Sequence, residues 1–430
     1  MRAPLADVVR RDDDRRVLVG FSGGLDSTVL LRLLAGDADI RRHGLRAIHV
    51  HHGLHADADA WAAHCRRTCD ALDVPLSIVH VDVDRASGLG LEGAARATRH
   101  RAFEEGLRDD EILALAHHRD DQAETFRLRA LRGSGPDGLA GMRPWRAYAN
   151  GWLWRPLLDV PRDALQAHAT AHGLAWIEDA SNGDPRFDRN FLRNEVMPLL
   201  RQRWPQASDN LARCAALNAQ AVDLLELDDV SALRHAMHDD RTLDVDALRA
   251  IPQARRARVL RRWIGALGLP PLPGNGIARI ETDLLPARTD AEACFEWSGA
   301  RIRRWRNLLH ADAMREPFPV HWAQAWDGAG PLWLPTGDTL ELVGVDGFDA
   351  PLRVHARHGG ERIVLPGRGH SHALKHVLQE AGIPPWRRER MPLLSSADGT
   401  LQAAGDAILS ASLAAWLGTR EARLHWSGLA

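Results

Sequence analysis

The stretch RVLVGFSGGLDS, residues 16–27, decides the fold of the N-terminal part of the chain. The apolar run Arg16–Phe21 predicts a short buried strand, and Ser27–Leu34 continues after the glycines with helical spacing. Gly23 and Gly24 allow positive φ and a close approach of a ligand to the backbone. The start of the helix adds unpaired N–H groups and roughly half a positive charge. A strand, a Ser-Gly-Gly turn and a helix in this order predict a cradle for phosphates.

The predicted ATP-binding loop consists of Ser22, Gly23, Gly24, Leu25, Asp26 and Ser27. Asp26 would by itself repel a phosphate, so we expect it to hold the Mg²⁺ that bridges the phosphates of ATP. The alternative is a plain glycine-rich turn with an aspartate cap, but the flanking strand and helix favour the phosphate loop. The loop has no Gly-Lys-Ser/Thr ending, so it is not a Walker A loop. The loop therefore predicts an enzyme that consumes ATP.

The composition excludes several classes of protein. With 430 residues the chain is expected to form roughly two to four domains. Its 45 % hydrophobic and 26 % charged residues are typical of a globular protein, and no apolar run approaches the roughly 20 residues that span a bilayer. The polar stretch Met1–Asp14 is not a signal peptide, and four cysteines do not make a disulfide framework, so we expect a cytoplasmic protein with no membrane partner. The net charge of −2 leaves nucleic-acid contacts to local patches.

Strand and helix signals alternate through the first 130 residues. Further strands are predicted at Arg46–His51, Leu76–Val83 and Glu111–His117, and further helices at Asp57–Leu72, Leu91–Leu107, Asp120–Leu131, Pro161–Gly173 and Phe191–Leu200. This alternation predicts an α/β fold with a parallel, Rossmann-like sheet that binds its ligand at the carboxyl ends of the strands. Gly133–Asn150 is rich in Gly and Pro and is predicted to be a loop.

Three domains are predicted. Residues 1–206 form the ATP-binding catalytic domain. Residues 207–316 form a mainly helical domain, because Ala207–Gly268 has an all-helical pattern. Residues 317–430 form a small α+β domain, because short alternating runs rich in Trp, Gly and Val follow Pro317.

An acidic pair follows the fourth predicted strand, at the same edge of the sheet as the phosphate loop. In HHRDDQAET, residues 117–125, Asp121 and Glu124 are three apart and so share one face of a helix. Two carboxylates facing a cleft suit a cationic amine or a metal ion. The alternative is a solvated helix start. Neighbouring arginines favour a site: Arg127, Arg129 and Arg132.

The loop resembles the PP-loop of the N-type ATP pyrophosphatases, and the chain as a whole resembles the tRNA(Ile)-lysidine synthetase family. The N-terminal matches are SGGLDS 22–27, HHGL 51–54, HHRDDQAET 117–125, RGSG 132–135, RPLL 155–158, EDASN 178–182 and DRNFLR 188–193. The C-terminal matches are RHGGER 357–362, LKH 374–376 and IPPW 383–386. The resemblance covers most of the chain and is densest between residues 16 and 205.

The resemblance implies a two-step ligation. ATP adenylates C2 of the wobble cytidine, position 34, of a tRNA(Ile) with a CAU anticodon, and the side-chain amine of free L-lysine then displaces AMP. The modified tRNA reads AUA instead of AUG. A homodimer is a candidate assembly.

The resemblance also implies roles for particular residues. Asp26 takes the Mg²⁺–ATP position, while Asp121 and Glu124 hold the lysine ammonium and help to remove its proton. Arg96 and Arg99 lie near the nucleotide and offset charge on the departing phosphates, with a basic helix face as the alternative. Three further arginines in matched motifs are expected to bind substrate: Arg132, Arg189 and Arg193.

Two basic segments are candidates for following a tRNA backbone. Ala254–Trp263 carries five arginines, and Pro351–Arg390 carries eight Lys and Arg against three Glu. The residues predicted to contact tRNA are Arg255, Arg258, Arg262, Lys375, Arg387 and Arg388. Solvated helix faces are the alternative, and Trp386 is either a base-stacking residue or part of a core.

Local departures from the family pattern occur at Arg119, His100 and His376, and they bear on fine positioning and tRNA contacts. Cys65 and Cys69 suit helix packing better than a zinc site. Scarce cysteines disfavour a tRNA-thiolating PP-loop enzyme. NAD, GMP and asparagine synthetases would leave the basic C-terminal segments unexplained. A non-catalytic nucleotide- and RNA-binding protein would have no need of the acidic pair.

Overall fold

The computed structural model describes residues 5–9, 14–84, 90–178, 183, 188–288, 293–316 and 318–427. The chain divides into two compact units, Met1–Leu227 and Asp228–Ala430. Of the matched motif at 178–182, only Glu178 lies within the described residues.

The first unit is built on a six-stranded sheet. In chain order its strands are β1 Val17–Gly20, β2 Leu45–His51, β3 Leu76–His80, β4 Ile112–Ala114, β5 Trp145–Tyr148 and β6 Gly151–Trp154. Their order across the sheet is β3-β2-β1-β4-β6-β5, and all neighbours are parallel except β5 and β6. The predicted parallel sheet is therefore confirmed. The strand order reverses between β1 and β4, which is where open α/β sheets bind ligands.

Helices connect these strands and extend the unit beyond the sheet. They are Leu5–Val9, Leu25–Gly36, Ala38–His43, Ala58–Ala71, Gly90–Gly106, Arg119–Leu131, Pro136–Leu139, Arg162–Ala171, Asp188–Phe191, Leu192–Val196, Met197–Arg203 and Ala207–Ala236, the last of which ends in the second unit.

Both faces of the sheet are covered by apolar side chains. Val17 and Val19 of β1 belong to one buried cluster, and Leu18, which points to the other face, belongs to a second. Cys65 and Cys69 lie in the first cluster, and burial raises the pKa of each thiol to about 12. These cysteines therefore pack as small apolar side chains, as predicted, and no cluster of three or more metal-binding side chains occurs among the described residues.

The predicted loop Gly133–Asn150 contains more structure than expected. It holds the helical turn Pro136–Leu139 and the edge strand β5. In β5 only Tyr148 is buried, so the strand lacks the apolar alternation by which a sequence reveals a strand.

The second unit begins with a helical region that also contains a sheet. Its helices after Ala236 are Val245–Ala250, Gln253–Ala266, Gly274–Arg279 and Ile280–Leu284. An antiparallel sheet is formed by Met237–Asp239, Thr242–Asp244, Leu308–Ala313, Ala300–Trp305 and Cys294–Trp297, in that spatial order. The all-helical prediction for Ala207–Gly268 is therefore wrong at residues 237–244, where two three-residue strands form a hairpin.

The C-terminal part is α+β, as predicted. Its strands are Ala323–Trp326, Leu332–Trp333, Thr339–Val343, Leu352–His355, Arg362–Val364, Ser371–Ala373, Leu393–Ser395, Leu401–Ala404, Ile408–Leu409 and Arg423–Ser427. They form sheets of five, three and two strands, accompanied by the helices Leu374–Glu380, Pro385–Arg388 and Ala411–Thr419.

Two separate apolar cores lie in the second unit, one within residues 236–311 and the other within 318–426. The three-domain division stays a prediction. In the part of the chain that the structure describes, no helix combines the length and apolarity needed to cross a lipid bilayer.

Replacing Gly23 by Ala is expected to lower the free energy of unfolding by about 1–3 kcal/mol. Gly23 has φ +82°, and an added Cβ would lie 2.6 Å from Ile177 Cδ1 and 2.9 Å from Cys65 Sγ. Urea unfolding of the full chain measures the loss. Gly24→Ala is the matched control, because Gly24 has φ −74° and its Cβ would find no atom nearer than 3.5 Å. Equal losses in the two variants would contradict the role of backbone conformation.

Candidate active site

The phosphate loop joins β1 to the helix Leu25–Gly36. The first helical hydrogen bond runs from Thr28 N–H to Gly24 O at 3.0 Å, so the preceding N–H groups point out of the helix start. Ser27 Oγ donates to Gly24 O at 3.1 Å and lies 3.0 Å from Ser22 Oγ. From the far side, Ile177 N–H donates to Gly23 O at 2.9 Å. These bonds fix the loop in a conformation that can cradle an anion.

Asp26 offers a carboxylate oxygen for a cation. Its Oδ1 is buried and makes no hydrogen bond within the described residues, while its Oδ2 lies 3.6 Å from His118 Nε2. A buried acceptor without a donor beside a phosphate cradle fits Mg²⁺, which commonly takes one or two carboxylates and completes its shell with phosphates and water.

The helix Arg119–Leu131 buries the acidic pair at the neighbouring strand end. Arg189 donates to Glu124 Oε2 at 2.7 Å and to Asp121 Oδ1 at 2.9 Å. Arg193 donates to both oxygens of Glu124, at 2.5 and 2.9 Å, and to Asp121 Oδ1 at 3.3 Å. Four of the predicted substrate-binding residues are thus brought together, and the acceptors of the two carboxylates are already engaged.

Arg132, the fifth residue of that group, lies apart from the acidic pair. Its Nη2 is 3.6 Å from Asp188 Oδ2, and both side chains are largely exposed. Its role in substrate binding stays a prediction.

His118 connects the loop to the acidic pair, which sequence reasoning did not anticipate. Its Nε2 lies 3.5 Å from Asp121 Oδ2 and 3.6 Å from Asp26 Oδ2, and its Nδ1 lies 3.9 Å from Asp120 Oδ2. Burial acts to lower the pKa of His118, but the hydrogen bond to Asp26 and the three carboxylate charges outweigh it and raise the pKa above 6.5. The available signal was its position directly before a helix that starts with two aspartates.

The preceding histidine is in the opposite state. Burial lowers the pKa of His117 below 6.5, and the Arg155 charge adds to this against the pull of Asp121. His117 Nδ1 accepts a hydrogen bond from Arg155 Nε at 3.3 Å. Burial thus favours the neutral form of His117, whereas the neighbouring carboxylates favour the charged form of His118.

A cleft of about 420 Å³ opens after β2 and β3 and is lined by His51, His52, Gly53, Leu54, His80, Val81, Asp82 and Val83. Arg99 Nε donates to His52 Nε2 at 3.3 Å. Burial, followed by the Arg99 charge, lowers the pKa of His52 to about 4, so its ring accepts rather than donates there. Burial and the charge of Arg96 lower the pKa of the Arg99 guanidinium. Arg99 thus contacts a residue that lines this cleft, and Arg96 lies close enough for its charge to act on Arg99. The sequence had given the histidines of the cleft no role.

The predicted cationic stripe on Gln253–Ala266 is turned toward a buried carboxylate. Asp229, which is fully buried, lies 2.7 Å from Arg258 Nε, 3.3 Å from Arg262 Nε and 4.0 Å from Arg255 Nε. Compensating that charge engages all three arginines. Their contact with tRNA stays a prediction, and less of their charge faces an outside partner than the sequence suggested.

The C-terminal residues predicted to contact tRNA differ in their exposure and in their contacts within the chain. Lys375 is exposed, and Arg387 lies 3.3 Å from Asp406 Oδ1. Arg388 Nε donates to the backbone oxygen of Ile383 at 2.5 Å, so this donor is engaged within the chain. Trp386 stacks on His310 with ring centroids 4.2 Å apart, which favours the packing alternative for this residue.

The departures from the family pattern mostly serve packing. Arg119 Nε donates to Asp159 O at 3.0 Å, and its Nη1 donates to Asp209 Oδ1 at 2.7 Å. His100 Nδ1 lies 2.9 Å from the Tyr148 hydroxyl oxygen. His376 is exposed.

Comparisons with known proteins match most of the chain. A PP-loop domain covers residues 1–200, a TilS substrate binding domain 243–310, and a TilS substrate C-terminal domain 352–426. A tRNA(Ile)-lysidine synthase of Xanthomonas axonopodis pv. citri is 57 % identical over 412 residues, which are 95 % of this chain and 93 % of that protein. One from Serratia proteamaculans is 43 % identical over 96 % of this chain and 95 % of its own.

A solved structure, the U34-tRNA thiolase NcsA from Methanococcus maripaludis, aligns with 50 % of this chain and 76 % of its own at 18 % identity and a TM-score of 0.42. This distant similarity carries no argument about activity.

Replacing His100 by Phe is expected to remove one source of acid sensitivity. Burial and then the Arg96 charge lower the pKa of His100 to about 4, from an ordinary 6.5. The unfolded chain therefore takes up a proton at this residue between these values while the folded chain does not, so stability falls as the pH falls through about 6.5 toward 4. Urea unfolding at pH about 7.5 and 5 should show a smaller acid-induced loss in the variant. The exposed His172, changed to Phe, is the control, and equal losses in wild type and H100F would contradict the prediction.

Proposed function

The chain belongs to the tRNA(Ile)-lysidine synthase family, and we propose that it ligates L-lysine to C2 of cytidine 34 in a tRNA(Ile) with a CAU anticodon. It consumes ATP and releases AMP and pyrophosphate, which changes codon reading from AUG to AUA. The observation that carries this proposal is the pairing of a phosphate loop with a buried acidic pair across the imidazole of His118. Asp26 Oδ2 and Asp121 Oδ2 lie 3.6 and 3.5 Å from the same His118 Nε2.

The loop suits the first step, adenylation of the base. N–H groups and hydroxyls at the start of Leu25–Gly36 hold the phosphates while the O2 atom of cytidine attacks the α-phosphorus. Mg²⁺, bound through Asp26, would neutralise phosphate charge. Arg99, which contacts His52 at the cleft after β2 and β3, and the neighbouring Arg96 would supply positive charge for the nucleotide.

The acidic pair suits the second step, attack of the lysine amine on C2 with departure of AMP. An ammonium carries three donors and needs acceptors, but Asp121 and Glu124 already accept from Arg189 and Arg193. Lysine must therefore take over acceptor positions from at least one guanidinium.

Proton removal from the ammonium is tied to the same exchange. Burial acts to raise the pKa of Asp121, but the charges of His118 and Arg189 and further partners lower it overall. A carboxylate with a lowered pKa binds an ammonium well and is a weak base. Withdrawal of a guanidinium would raise its basicity, so binding and activation of the amine belong to one rearrangement.

The remaining parts of the proposal concern partners and location. Exposed basic groups in the C-terminal part, Lys375 among them, would bind the tRNA backbone. We propose that the protein acts in the cytoplasm, where free lysine and tRNA are both present. A homodimer is a candidate assembly.

Labelled L-lysine should be retained on a CAU-anticodon tRNA(Ile) transcript only when ATP and Mg²⁺ are present. Asp26→Asn should abolish this retention and also the tRNA-dependent release of pyrophosphate, because the cation site of the loop is lost. A tRNA(Met) transcript with the same anticodon is the substrate control. No retention by the wild-type chain, with folding verified, would reject the proposed function.

Asp121→Asn and Glu124→Gln are expected to separate the two steps. Tight ammonium binding needs charge, so the lysine KM should rise by roughly tenfold or more. Adenylation of the tRNA in the absence of lysine should persist within a few-fold of wild type. Glu178→Gln, at the described end of a matched motif, is the carboxylate control. An unchanged lysine KM would remove both residues from the lysine site.

A further inference from the structure

Arg162 is a cation at the phosphate loop to which neither the sequence motifs nor the proposed steps give a role. Its Nε lies 4.0 Å from Asp26 Oδ1, the buried oxygen that has no hydrogen bond. The Arg162 side chain is 52 % exposed. Within the described residues its guanidinium makes no hydrogen bond, so its donors are free to bind a ligand above the loop.

The backbone at Arg162 is held firmly although its side chain is free. Arg162 is the first residue of the ten-residue helix Arg162–Ala171, which follows Pro161. Its N–H donates to Asp120 Oδ2 at 3.0 Å. Asp120 is in turn paired with Arg201 and lies 3.9 Å from His118 Nδ1, so the anchor belongs to the site itself.

The helix that carries Arg162 runs beside the helix of the phosphate loop. Leu165 and Ala169 share one buried cluster with Leu30 and Leu34 of Leu25–Gly36. After this helix the chain returns to the loop, where Ile177 N–H bonds Gly23 O. The two helix starts therefore face the same space, and both favour negative charge.

The charges around Arg162 indicate which kind of ligand its guanidinium can bind. Asp26 Oδ1 lies 4.0 Å from its Nε, Asp120 accepts a hydrogen bond from its backbone N–H, and Arg201 is paired with Asp120. Among the described residues, no carboxylate accepts a hydrogen bond from the Arg162 guanidinium, so its positive charge is additional. Its planar fork matches two oxygens of a phosphate.

We propose that Arg162 binds the β- and γ-phosphates of ATP and holds the pyrophosphate as it leaves. In the adenylation step, cytidine O2 forms a bond to the α-phosphorus, and the bond from that phosphorus to the oxygen bridging to the β-phosphate breaks. The pyrophosphate leaves with the electron pair of that bond, and the adenylated base keeps the positive charge. Arg162 stabilises the negative charge that grows on the leaving group. This inference rests on the proposed function.

The test compares the binding of pyrophosphate with the binding of AMP. Isothermal titration of the full-length chain in Mg²⁺ should give a pyrophosphate Kd that is roughly tenfold weaker or more in Arg162→Ala, with an AMP Kd within about twofold of wild type. Product inhibition of the ligation should change in the same way. Arg162→Lys should recover part of the pyrophosphate affinity, and Arg162→Gln should not, because charge and hydrogen bonding act together.

The exposed Arg42, paired with Asp39, is the matched control, and Arg42→Ala should leave both constants unchanged. Equal weakening of pyrophosphate and AMP binding in R162A, or an unchanged pyrophosphate Kd, would overturn the proposal. If Arg162→Ala does not fold, Arg162→Gln gives the same comparison. A wild-type chain that releases no pyrophosphate would instead count against the proposed function.

Discussion

Burial of the Asp121 and Glu124 carboxylates is the constraint on which the first unit depends. A buried charge without compensation costs several kcal/mol, so these side chains need cationic partners drawn from elsewhere in the chain. Arg189 and Arg193 supply them from the segment after the sheet, and His118 supplies a third contact from the start of the helix. The short helices between Asp188 and Arg203 are thereby fixed against the strand ends. The same physics recurs in the second unit, where three arginines surround Asp229.

This arrangement gives one cluster two tasks. The guanidinium groups of Arg189 and Arg193 and the imidazole of His118 compensate the charge of the two buried carboxylates. The same groups occupy the acceptors of the carboxylates, so in the proposed mechanism a cationic substrate has to displace at least one of them. His118 joins this cluster to Asp26, because its Nε2 lies 3.6 Å from Asp26 Oδ2 and 3.5 Å from Asp121 Oδ2.

The sequence predicted the parts whose signals are local. The strand before Ser22, the glycines and the helix after them lie within twenty residues, and both the loop and the three-residue spacing of the acidic pair emerged correctly. Strand β5 was not predicted because three of its four side chains are exposed. The hairpin at 237–244 was not predicted because each of its strands has only three residues. The partners of the charged groups could not be predicted, because they lie far away in the sequence. Arg258 meets a carboxylate 29 residues away, and Glu124 meets guanidiniums 65 and 69 residues away.

The hydrogen bond from Ile177 N–H to Gly23 O has a consequence for folding during synthesis on the ribosome. The loop is made early, yet one of the bonds that hold it comes from a residue about 150 positions later. Contacts of such separation form late, after the intervening chain has been ordered. While the chain is being synthesised, the N-terminal segment can assemble its first strand and helix, but the cradle stays open until residue 177 has emerged from the ribosome. A product truncated before residue 177 therefore lacks the hydrogen bond that closes the loop at Gly23.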